Sequence, residues 1–381
     1  MSQAKLPPPT VVAHPADLHQ LAQRLAQEPL IALDTESNSL YAYRERVCLI
    51  QVSTRQADYI IDPIALGQLE PLGELFAAPH IEKVLHAAEN DIMALRRDFG
   101  FRFANVFDTA SAARILGRKT LGLAGMLEEF FGVKLDKRYQ RANWTARPLT
   151  PEQLDYARLD THYLPALRDV LGAQLAERGC WAEASEIFGQ LADVQPPQTQ
   201  FDPDGFWYLS GARDLSLRQM AILRELYLLR DRLAQARDLP PFKVLTDETL
   251  VQLAVRTPHN LPKLRAMIGM PDWLAAHDGR AILEAIEAGK RAALPIRPEQ
   301  VPRDAAALAR YNALREWRKN RAAARGVESD VIVPRESLWA MAQNPPRCLE
   351  DLAGVPGLGA WRRAQYGAEI LQVLANVPAD T

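Results

Sequence analysis

Residues 30–36, LIALDTE, decide how the rest of the chain is understood, because an apolar run ends there in two carboxylates. Side chains alternate between the faces of a strand, so Asp34 and Glu36 would share one face and Thr35 would take the other. Adjacent carboxylates repel each other and lose hydration when buried, which a cation bound between them offsets. The pair is therefore one candidate for a metal site, which the rest of the chain has to support. A plain strand end, with a turn at Ser37 and Asn38, is the alternative.

The composition indicates a soluble globular protein of two or three domains. The chain has 381 residues, 48% hydrophobic and 24% charged, and a net charge of −2. No apolar run reaches the roughly 20 residues of a membrane helix, and MSQAKLPPPTVVAHP is not a secretion signal. Three distant cysteines (Cys48, Cys180 and Cys348) argue against disulfides or a zinc knuckle, so we expect a reducing, cytoplasmic location. The small net charge leaves open only a local basic groove for nucleic acid.

The first half of the chain predicts an α/β domain with a mixed sheet. Apolar runs predict strands at residues 30–34, 46–53, 58–62, 83–86 and 106–107. Helical spacing predicts helices at residues 16–27, 63–77, 89–99 and 109–116, and then to about 191 apart from a polar stretch at 134–149. The short connection between the second and third strands implies that they are antiparallel. Strands first and helices later are typical of a mixed-sheet α/β domain.

The second half is helical and contains an internal repeat. Proline-rich and polar segments predict linkers at residues 196–209 and 294–304. A shift of 88 positions (338 − 250) lays Leu250 on Leu338, and it also pairs Arg237 with Arg325 and Gly269 with Gly357. We therefore predict an α/β domain at 1–195, a helical domain at 210–293 and its second copy at 305–381.

Acidic residues recur where later elements meet. HAAEND, residues 86–91, ends a predicted strand and opens a helix, which places Asp91 at the same sheet edge as Asp34 if the strands are parallel. Glu89 and Asp108 compete with Asp91 for a metal, although Asp108 is more simply a helix N-cap and an acid in a first turn also complements the helix dipole.

A tyrosine and an aspartate are spaced to share one helix face. Tyr156 and Asp160 are four positions apart, so the phenol and the carboxylate project together. An amphipathic helix with a half-buried tyrosine explains the same spacing.

Taken together, ALDTES, HAAEND and YARLD resemble the three motifs of the DEDD 3′–5′ exonucleases. Residues 121–164 resemble ribonuclease D almost throughout, and that family also carries an HRDC domain and a second HRDC-like copy. The resemblance implies a mixed-sheet, ribonuclease H-like nuclease domain followed by two small all-α HRDC-like domains. It covers practically the whole chain.

The family's site residues carry over by motif. The resemblance implies two divalent cations held by Asp34, Glu36, Asp91 and Asp160, with Tyr156 orienting the attacking water. Hard oxygen ligands select Mg²⁺ or Mn²⁺. His162 lies on the wrong side of Asp160 to replace the tyrosine, so the chain is similar to the tyrosine type. Asn90 stands where the family often has an aromatic residue.

Two basic segments are candidates for RNA contact. Before the third motif the polar segment contains Lys137, Arg138, Gln140, Arg141 and Trp144, which suits phosphates on the cations and a base stacked on Trp144. A solvated loop with one anchored tryptophan is the alternative. In the second helical copy a cationic stretch around Trp317 is either a solvated face or an RNA-docking surface: Arg315, Arg318, Lys319, Arg321 and Arg325.

The resemblance implies a metal-dependent 3′–5′ exoribonuclease that releases nucleoside 5′-monophosphates from RNA with a free 3′ end, such as tRNA precursors. We expect a monomer with no membrane or obligate protein partner. The carboxylates alone leave two alternatives open, namely the same chemistry on DNA and a non-catalytic nucleic-acid scaffold.

Overall fold

The computed structural model describes residues 6–197, 201–298 and 304–377, and the chain forms two compact units. The first unit comprises residues 1–36, 47–196 and 301–381, and the second comprises residues 37–46 and 197–300. The second helical copy therefore shares a unit with the sheet. The N-terminal stretch and both predicted linkers lie partly outside the described residues. Within these residues, no helix is long and apolar enough to cross a membrane.

A six-stranded mixed sheet forms the centre of the first unit. Its strands are β1 Thr10–Val12, β2 Leu30–Ser37, β3 Val47–Ser53, β4 Asp58–Ile61, β5 Glu82–Leu85 and β6 Val106–Asp108, in the order β1-β4-β3-β2-β5-β6. β3 and β4 are antiparallel, as the short connection predicts, whereas β1–β4, β2–β5 and β5–β6 are parallel. β1 is absent from the predicted strands, because three residues after a proline run show no alternation.

Helices cover both faces of this sheet. They are α1 Pro15–Leu25, α2 Pro63–Leu66, α3 Glu70–Ala77, α4 Glu89–Phe99, α5 Thr109–Ile115, α6 Leu123–Phe131, α7 Pro151–His162, α8 Leu164–Glu177 and α9 Trp181–Ala192. Along β2, Ile31 and Leu33 pack into one core, while Leu30 and Ala32 pack into another. The predicted helix at 63–77 is two helices, since Gly67 adopts a φ of 72° between them.

The second unit is all-helical. Its helices are α10 Leu217–Arg237, α11 Pro241–Val244, α12 Asp247–Arg256, α13 Leu261–Arg265, α14 Asp272–His277 and α15 Gly279–Arg291. A 3₁₀ helix at Gly205–Tyr208 lies in a segment predicted as linker, yet Phe206 is fully buried in the core of this unit. Segment 37–46 also belongs here, and the Tyr43 hydroxyl donates to Asp231 at 2.6 Å.

The second helical copy follows the same plan as the first. Its helices are α16 Ala305–Arg325, α17 Ser329–Ile332, α18 Arg335–Gln343 and α19 Ala360–Ala375. α10 and α16 begin and end 88 positions apart (305 − 217 and 325 − 237), as the sequence repeat predicts. α19 covers the positions of α14 and of α15 up to residue 287 (375 − 88), so this helix is continuous in the second copy and broken in the first.

Candidate active site

The end of β2 places two carboxylates on one cavity. Along the strand the residues are buried from Leu30 to Leu33 and partly exposed from Asp34 onwards, so the acidic end emerges from the core. Asp34 and Glu36 both line a cavity of about 460 Å³, together with Tyr156 and Asp160. Asp34 and Glu36 thus meet at one cavity, as predicted, but Thr35, which the alternation places on the other face, lines the same cavity.

Asp91 joins this site through Thr35. β2 and β5 are parallel, so the chain leaves both strands at the same sheet edge, and α4 follows with Asp91 in its first turn. Thr35 donates to Asp91 Oδ1 from its hydroxyl at 2.5 Å and from its backbone N–H at 3.1 Å. Glu89 is exposed and Asp108 caps α5 by accepting from Ser111 N at 2.8 Å. Of the acidic residues considered, Asp91 is thus the one held beside β2.

The third motif reaches the cavity from α7. Thr150 caps this helix and forms a reciprocal capping box with Gln153, which fixes where the helix begins. Tyr156 and Asp160 lie one turn apart and both line the cavity. The helix face predicted from their spacing is the face that borders the cavity.

The carboxylates raise one another's pKa values. Burial, followed by the charges of Asp91, Asp160 and Glu36, raises the pKa of Asp34 well above its usual value. Burial, with Asp160 and then Asp91, raises the pKa of Glu36 to about 9. Burial and Asp91 raise the pKa of Asp160 to about 7. Burial also raises the pKa of Asp91 to about 6, although the hydrogen bonds from Thr35 lower it.

This donor set fits divalent cations. Carboxylate oxygens are the hard ligands that Mg²⁺ and Mn²⁺ prefer, and a positive charge among them would lower all four pKa values. Within the described residues, no three acidic, imidazole or thiol side chains already converge as a metal-binding group. The fit therefore rests on the chemistry of the four donors and on their placement around one cavity.

Tyr156 has aromatic neighbours and acidic ones. Its ring is stacked on Trp144 with centroids 6.0 Å apart, and Tyr139 meets it edge-on, also at 6.0 Å. Burial, and then the charges of Asp160 and the other site carboxylates, raises the pKa of Tyr156. The phenol therefore keeps its proton at neutral pH.

The polar segment before α7 contributes to the cavity only in part. Lys137 and Gln140 line it, and Arg141 is exposed outside it. The Trp144 side chain is 1% exposed and packs on Tyr156, which does not fit the prediction that a base stacks on it. Burial by the surrounding fold, which the local sequence does not encode, explains this difference.

Other cavity residues are absent from the predicted set. Gly122 and Leu123, at the start of α6, line the cavity, as does His86. His86 Nδ1 lies 2.9 Å from Thr109 Oγ1, and the Thr109 hydroxyl donates to Leu85 O at 3.0 Å. A strand-end hydrogen bond is the role predicted for His86. The glycine-containing run at the start of α6 is the one local sequence feature that could have predicted the Gly122 and Leu123 side of the cavity.

His162, which follows the third motif, is turned to another partner. Its Nδ1 lies 2.9 Å from Asp58 Oδ2, and Asp58 in turn accepts from the Ser53 hydroxyl at 2.7 Å. This polar group joins the end of α7 to β3 and β4. His162 is therefore engaged away from the position of Tyr156, as expected for the tyrosine type.

Sequence comparison adds independent evidence. A profile described as 3′-5′ exonuclease matches residues 9–176, and a profile described as HRDC domain matches residues 219–286 and 307–374. Ribonuclease D of Gluconacetobacter diazotrophicus is 31% identical over 380 residues, which is 97% of this chain and 94% of that protein. The chain belongs to the ribonuclease D family. It is therefore a 3′–5′ exoribonuclease, a hydrolase of phosphodiester bonds.

Solved structures agree with membership of the ribonuclease D family. The crystal structure of Escherichia coli RNase D has a TM-score of 0.70 and 25% identity, covering 97% of this chain and 99% of that one. Among relatives found by sequence, the Exosome complex exonuclease RRP6 of Saccharomyces cerevisiae is 33% identical over 64% of this chain but only 35% of that protein. The full-length similarity thus lies with ribonuclease D, and the mixed-sheet and HRDC architecture is shared.

In this ribonuclease D family chain, the cationic helix α16 has internal partners for much of its charge. Arg318 donates to Val333 O at 3.0 Å, Arg321 to Glu369 at 2.6 Å and Arg325 to Glu183 at 2.6 Å. Trp317 Nε1 also donates to Glu369, at 2.8 Å. These contacts do not fit the hypothesis that the whole helix presents a free cationic surface to RNA.

Proposed function

We propose that this chain is a metal-dependent 3′–5′ exoribonuclease that releases nucleoside 5′-monophosphates from RNA 3′ ends. The observation that carries the proposal is a group of four mutually repelling carboxylates, three of them on one open cavity with a protonated phenol and the fourth beside it. Asp34, Glu36 and Asp160 line the cavity directly, and Asp91 is held beside them by Thr35. Substrate RNA would enter with its 3′ end toward these groups.

The proposed metal ligands are Asp34, Glu36, Asp91 and Asp160. When bound, two divalent cations supply a water of lowered pKa and stabilise charge on the leaving 3′ oxygen. Two cations carry +4, which matches the −4 of four ionised carboxylates, and the scissile phosphate adds further negative charge. We therefore expect cations to bind weakly without RNA and more tightly with it, which calorimetry on both states would measure. Tight binding of two cations to the free protein would contradict this expectation.

Tyr156 is proposed to hold the attacking water in line. A phenol has a reference pKa near 10, and this one is raised further, so it is a poor general base at neutral pH. Its hydroxyl can donate to or accept from a water on the cavity side. Tyr156→Phe should lower kcat strongly, by about 10²-fold or more, and leave RNA affinity nearly unchanged. Loss of RNA affinity would contradict this role.

The loop before α7 is proposed to guide the RNA strand. Lys137 and Gln140 line the cavity, and Arg141 is exposed on the same loop. A cation and an amide suit the phosphates and base edges of a single strand. The Escherichia coli relative is described as involved in structured RNA processing. By similarity to it, we propose structured RNA with a free 3′ end, such as a tRNA precursor, as substrate.

One assay separates this function from its two rivals. Purified protein with Mg²⁺ is given 5′-labelled and 3′-labelled single strands of RNA and of DNA, alongside Asp34→Asn. A shortening ladder on 5′-labelled RNA, release of labelled mononucleotide from 3′-labelled RNA, and at least about 100-fold loss in the variant are expected. Preference for DNA would favour the deoxyribonuclease alternative. Binding without hydrolysis would favour a nucleic-acid scaffold.

A further inference from the structure

Trp144 is buried against the catalytic side of α7. Its side chain is 1% exposed, and it forms a small core with residues of β3, β4 and α7: Cys48, Leu49, Ile60 and Ala157. Its indole ring is stacked on the Tyr156 ring at an interplanar angle of 29°. The indole N–H has no hydrogen-bond partner among the described residues, so packing alone fixes the orientation of the ring.

An arginine three positions later fixes the backbone at Trp144. Arg147 donates to Asp62 from Nε at 2.6 Å and from Nη2 at 2.9 Å, which is the bidentate geometry of a strong pair. The same guanidinium donates to Trp144 O at 2.7 Å and to Cys48 O at 2.9 Å. One side chain therefore joins the loop carbonyl, β3 and the residue after β4.

Asp62 is itself held in place by backbone hydrogen bonds. It caps α2 by accepting from Ile64 N at 3.0 Å and Ala65 N at 3.2 Å. Burial alone would raise its pKa, but the hydrogen bonds from Arg147 and the two amides hold the pKa of Asp62 below its usual value. The pair therefore stays ionised at neutral pH. Through Arg147, Trp144 is thereby connected to β3 and to the residue that follows β4.

Tyr156 is in this way enclosed between two aromatic neighbours from one loop. Trp144 stacks on the ring, and Tyr139, from the same loop, meets it edge-on. The hydroxyl end remains at the cavity with Asp160. A ring held on two sides can turn little about χ1 and χ2, so the loop decides where the hydroxyl lies.

We infer that Trp144, fixed by the Arg147–Asp62 pair, is a positioning residue that sets the Tyr156 hydroxyl in line with the attacking water. The inference rests on the proposed function, because it assigns Trp144 an effect on turnover through Tyr156. Trp144 has no contact with RNA in this scheme, in contrast to the base-stacking role predicted from sequence. A displacement of about 1 Å in a reacting geometry lowers rates by about 10²-fold, so a small shift of the ring is measurable.

The test is a double-mutant cycle between Trp144→Phe and Tyr156→Phe. Phenylalanine keeps an apolar ring at position 144 and removes an N–H that makes no hydrogen bond, so no polar group loses a partner. kcat and KM are measured on one RNA for the wild type, both single variants and the double variant. Single-turnover reactions with excess enzyme extend the range to the slowest variants. Urea unfolding of all four proteins reports their stability.

We expect Trp144→Phe to lower kcat by about tenfold with KM unchanged in the wild-type background. In the Tyr156→Phe background the same change should lower kcat less than about twofold, because the hydroxyl that it misplaces is already gone. Equal losses in both backgrounds would overturn the inference, as would a rise in KM. Failure of the wild type to hydrolyse RNA would instead refute the proposed function.

A matched pair of arginine variants tests the second half of the inference. Arg168 makes a similar bidentate pair with Glu82, at 2.5 and 3.0 Å, and its side chain is 26% exposed against 27% for Arg147. Lysine keeps the charge but loses the fork geometry at either site. Arg147→Lys should lower kcat about fivefold with KM unchanged, and Arg168→Lys should change kcat less than about twofold, with urea unfolding of both variants to compare their losses of stability. Equal effects on kcat would show that the Arg147 pair acts through stability alone.

Discussion

The two helical copies share an internal contact that their sequences repeat. In the first copy Arg230 donates to Leu245 O at 3.0 Å, and in the second Arg318 donates to Val333 O at 3.0 Å. Donor and acceptor are each displaced by 88 positions (318 − 230 and 333 − 245). The same arginine thus closes the same turn in both copies. The repeat preserves the inner architecture.

The copies differ at a second repeated arginine. Arg237 pairs with Asp278 inside the first copy, at 2.5 Å. Its equivalent, Arg325, forms a bidentate pair with Glu183 of α9, at 2.6 and 2.9 Å, and Tyr366 occupies the position that corresponds to Asp278. Arg325 Nη1 still donates to the Tyr366 hydroxyl at 2.7 Å, but a neutral phenol does not pair its charge, and Glu183 of the exonuclease part does. Where the two copies differ in sequence, the second copy therefore forms a contact between α16 and α9.

The start of α19 shows the same difference. Its first turn donates from Trp361 N to Glu186 of α9 at 2.5 Å, so a carboxylate satisfies the positive end of a long helix. Gly359 precedes this turn, and a Cβ there would overlap the Glu186 side chain. The first copy has Pro271 at the corresponding position. The second copy is thus packed against α9 in the exonuclease unit. The similarity of the two folds alone does not predict this contact.

The largest expected effect comes from breaking the buried pair. Arg325→Met should lower the free energy of unfolding of its unit by about 3–5 kcal/mol, because Glu183, 1% exposed, would be left buried and unpaired. Arg237→Met in the first copy should lower it by only about 1 kcal/mol, since its partner Asp278 is 14% exposed, against 1% for Glu183, and keeps contact with water. Urea unfolding of both variants makes the comparison. Equal losses of unfolding free energy would show that the two arginines contribute equally to stability.

A smaller effect is expected where the backbone approaches α9. Gly359→Ala should lower the free energy of unfolding by about 1–3 kcal/mol, because the added methyl group forces Glu186 away from the helix N-terminus. Gly354→Ala is the matched control, since a Cβ at Gly354 would meet nothing within 4 Å. If both variants melt at the same temperature in thermal unfolding, the close approach does not contribute to stability.

Local periodicity predicts the parts of the site that lie within one element. Tyr156 and Asp160 share the cavity because a helix repeats every 3.6 residues. Asp34 and Glu36 share it as strand alternation predicts, although Thr35 between them lines it too. The antiparallel pairing of β3 with β4 and the equal bounds of α10 and α16 also agree with the sequence patterns. Assigning Asp91 to the site also required the order of the three motifs. An acid in a first turn is equally well explained by its interaction with the helix dipole.

Local sequence periodicity does not predict contacts between residues that are distant in the chain. Thr35 and Asp91 are 56 positions apart, and Arg325 and Glu183 are 142 apart. No periodicity relates such pairs, and a buried Trp144 looks the same in sequence as a base-stacking one. The repeat correctly predicts that Arg325 meets position 366, but it does not predict the added pair with Glu183. The surrounding fold decides which partner each arginine meets.

The shared contact should respond equally in the two copies. Arg318→Met and Arg230→Met should each lower the free energy of unfolding by about 1–1.5 kcal/mol, the value of one hydrogen bond to a buried carbonyl group. The exposed Asp247, which also accepts from Arg230, adds at most a few tenths of a kcal/mol. Urea unfolding checks both. A loss in one copy alone would contradict the common architecture.

The smallest expected effect concerns RNA binding by α16. Arg321 is already paired with Glu369, so it holds few counterions to release when RNA binds. Arg321→Ala should therefore leave the salt dependence of RNA affinity nearly unchanged and cost about 0.2–1 kcal/mol of stability. Lys137→Ala in the cavity loop should reduce the slope of log affinity against log salt by about one. Both are measured in the Asp34→Asn background, where hydrolysis is blocked. A slope that falls for Arg321→Ala would mean that RNA displaces Glu369 and that the second copy binds RNA despite its place in the exonuclease unit.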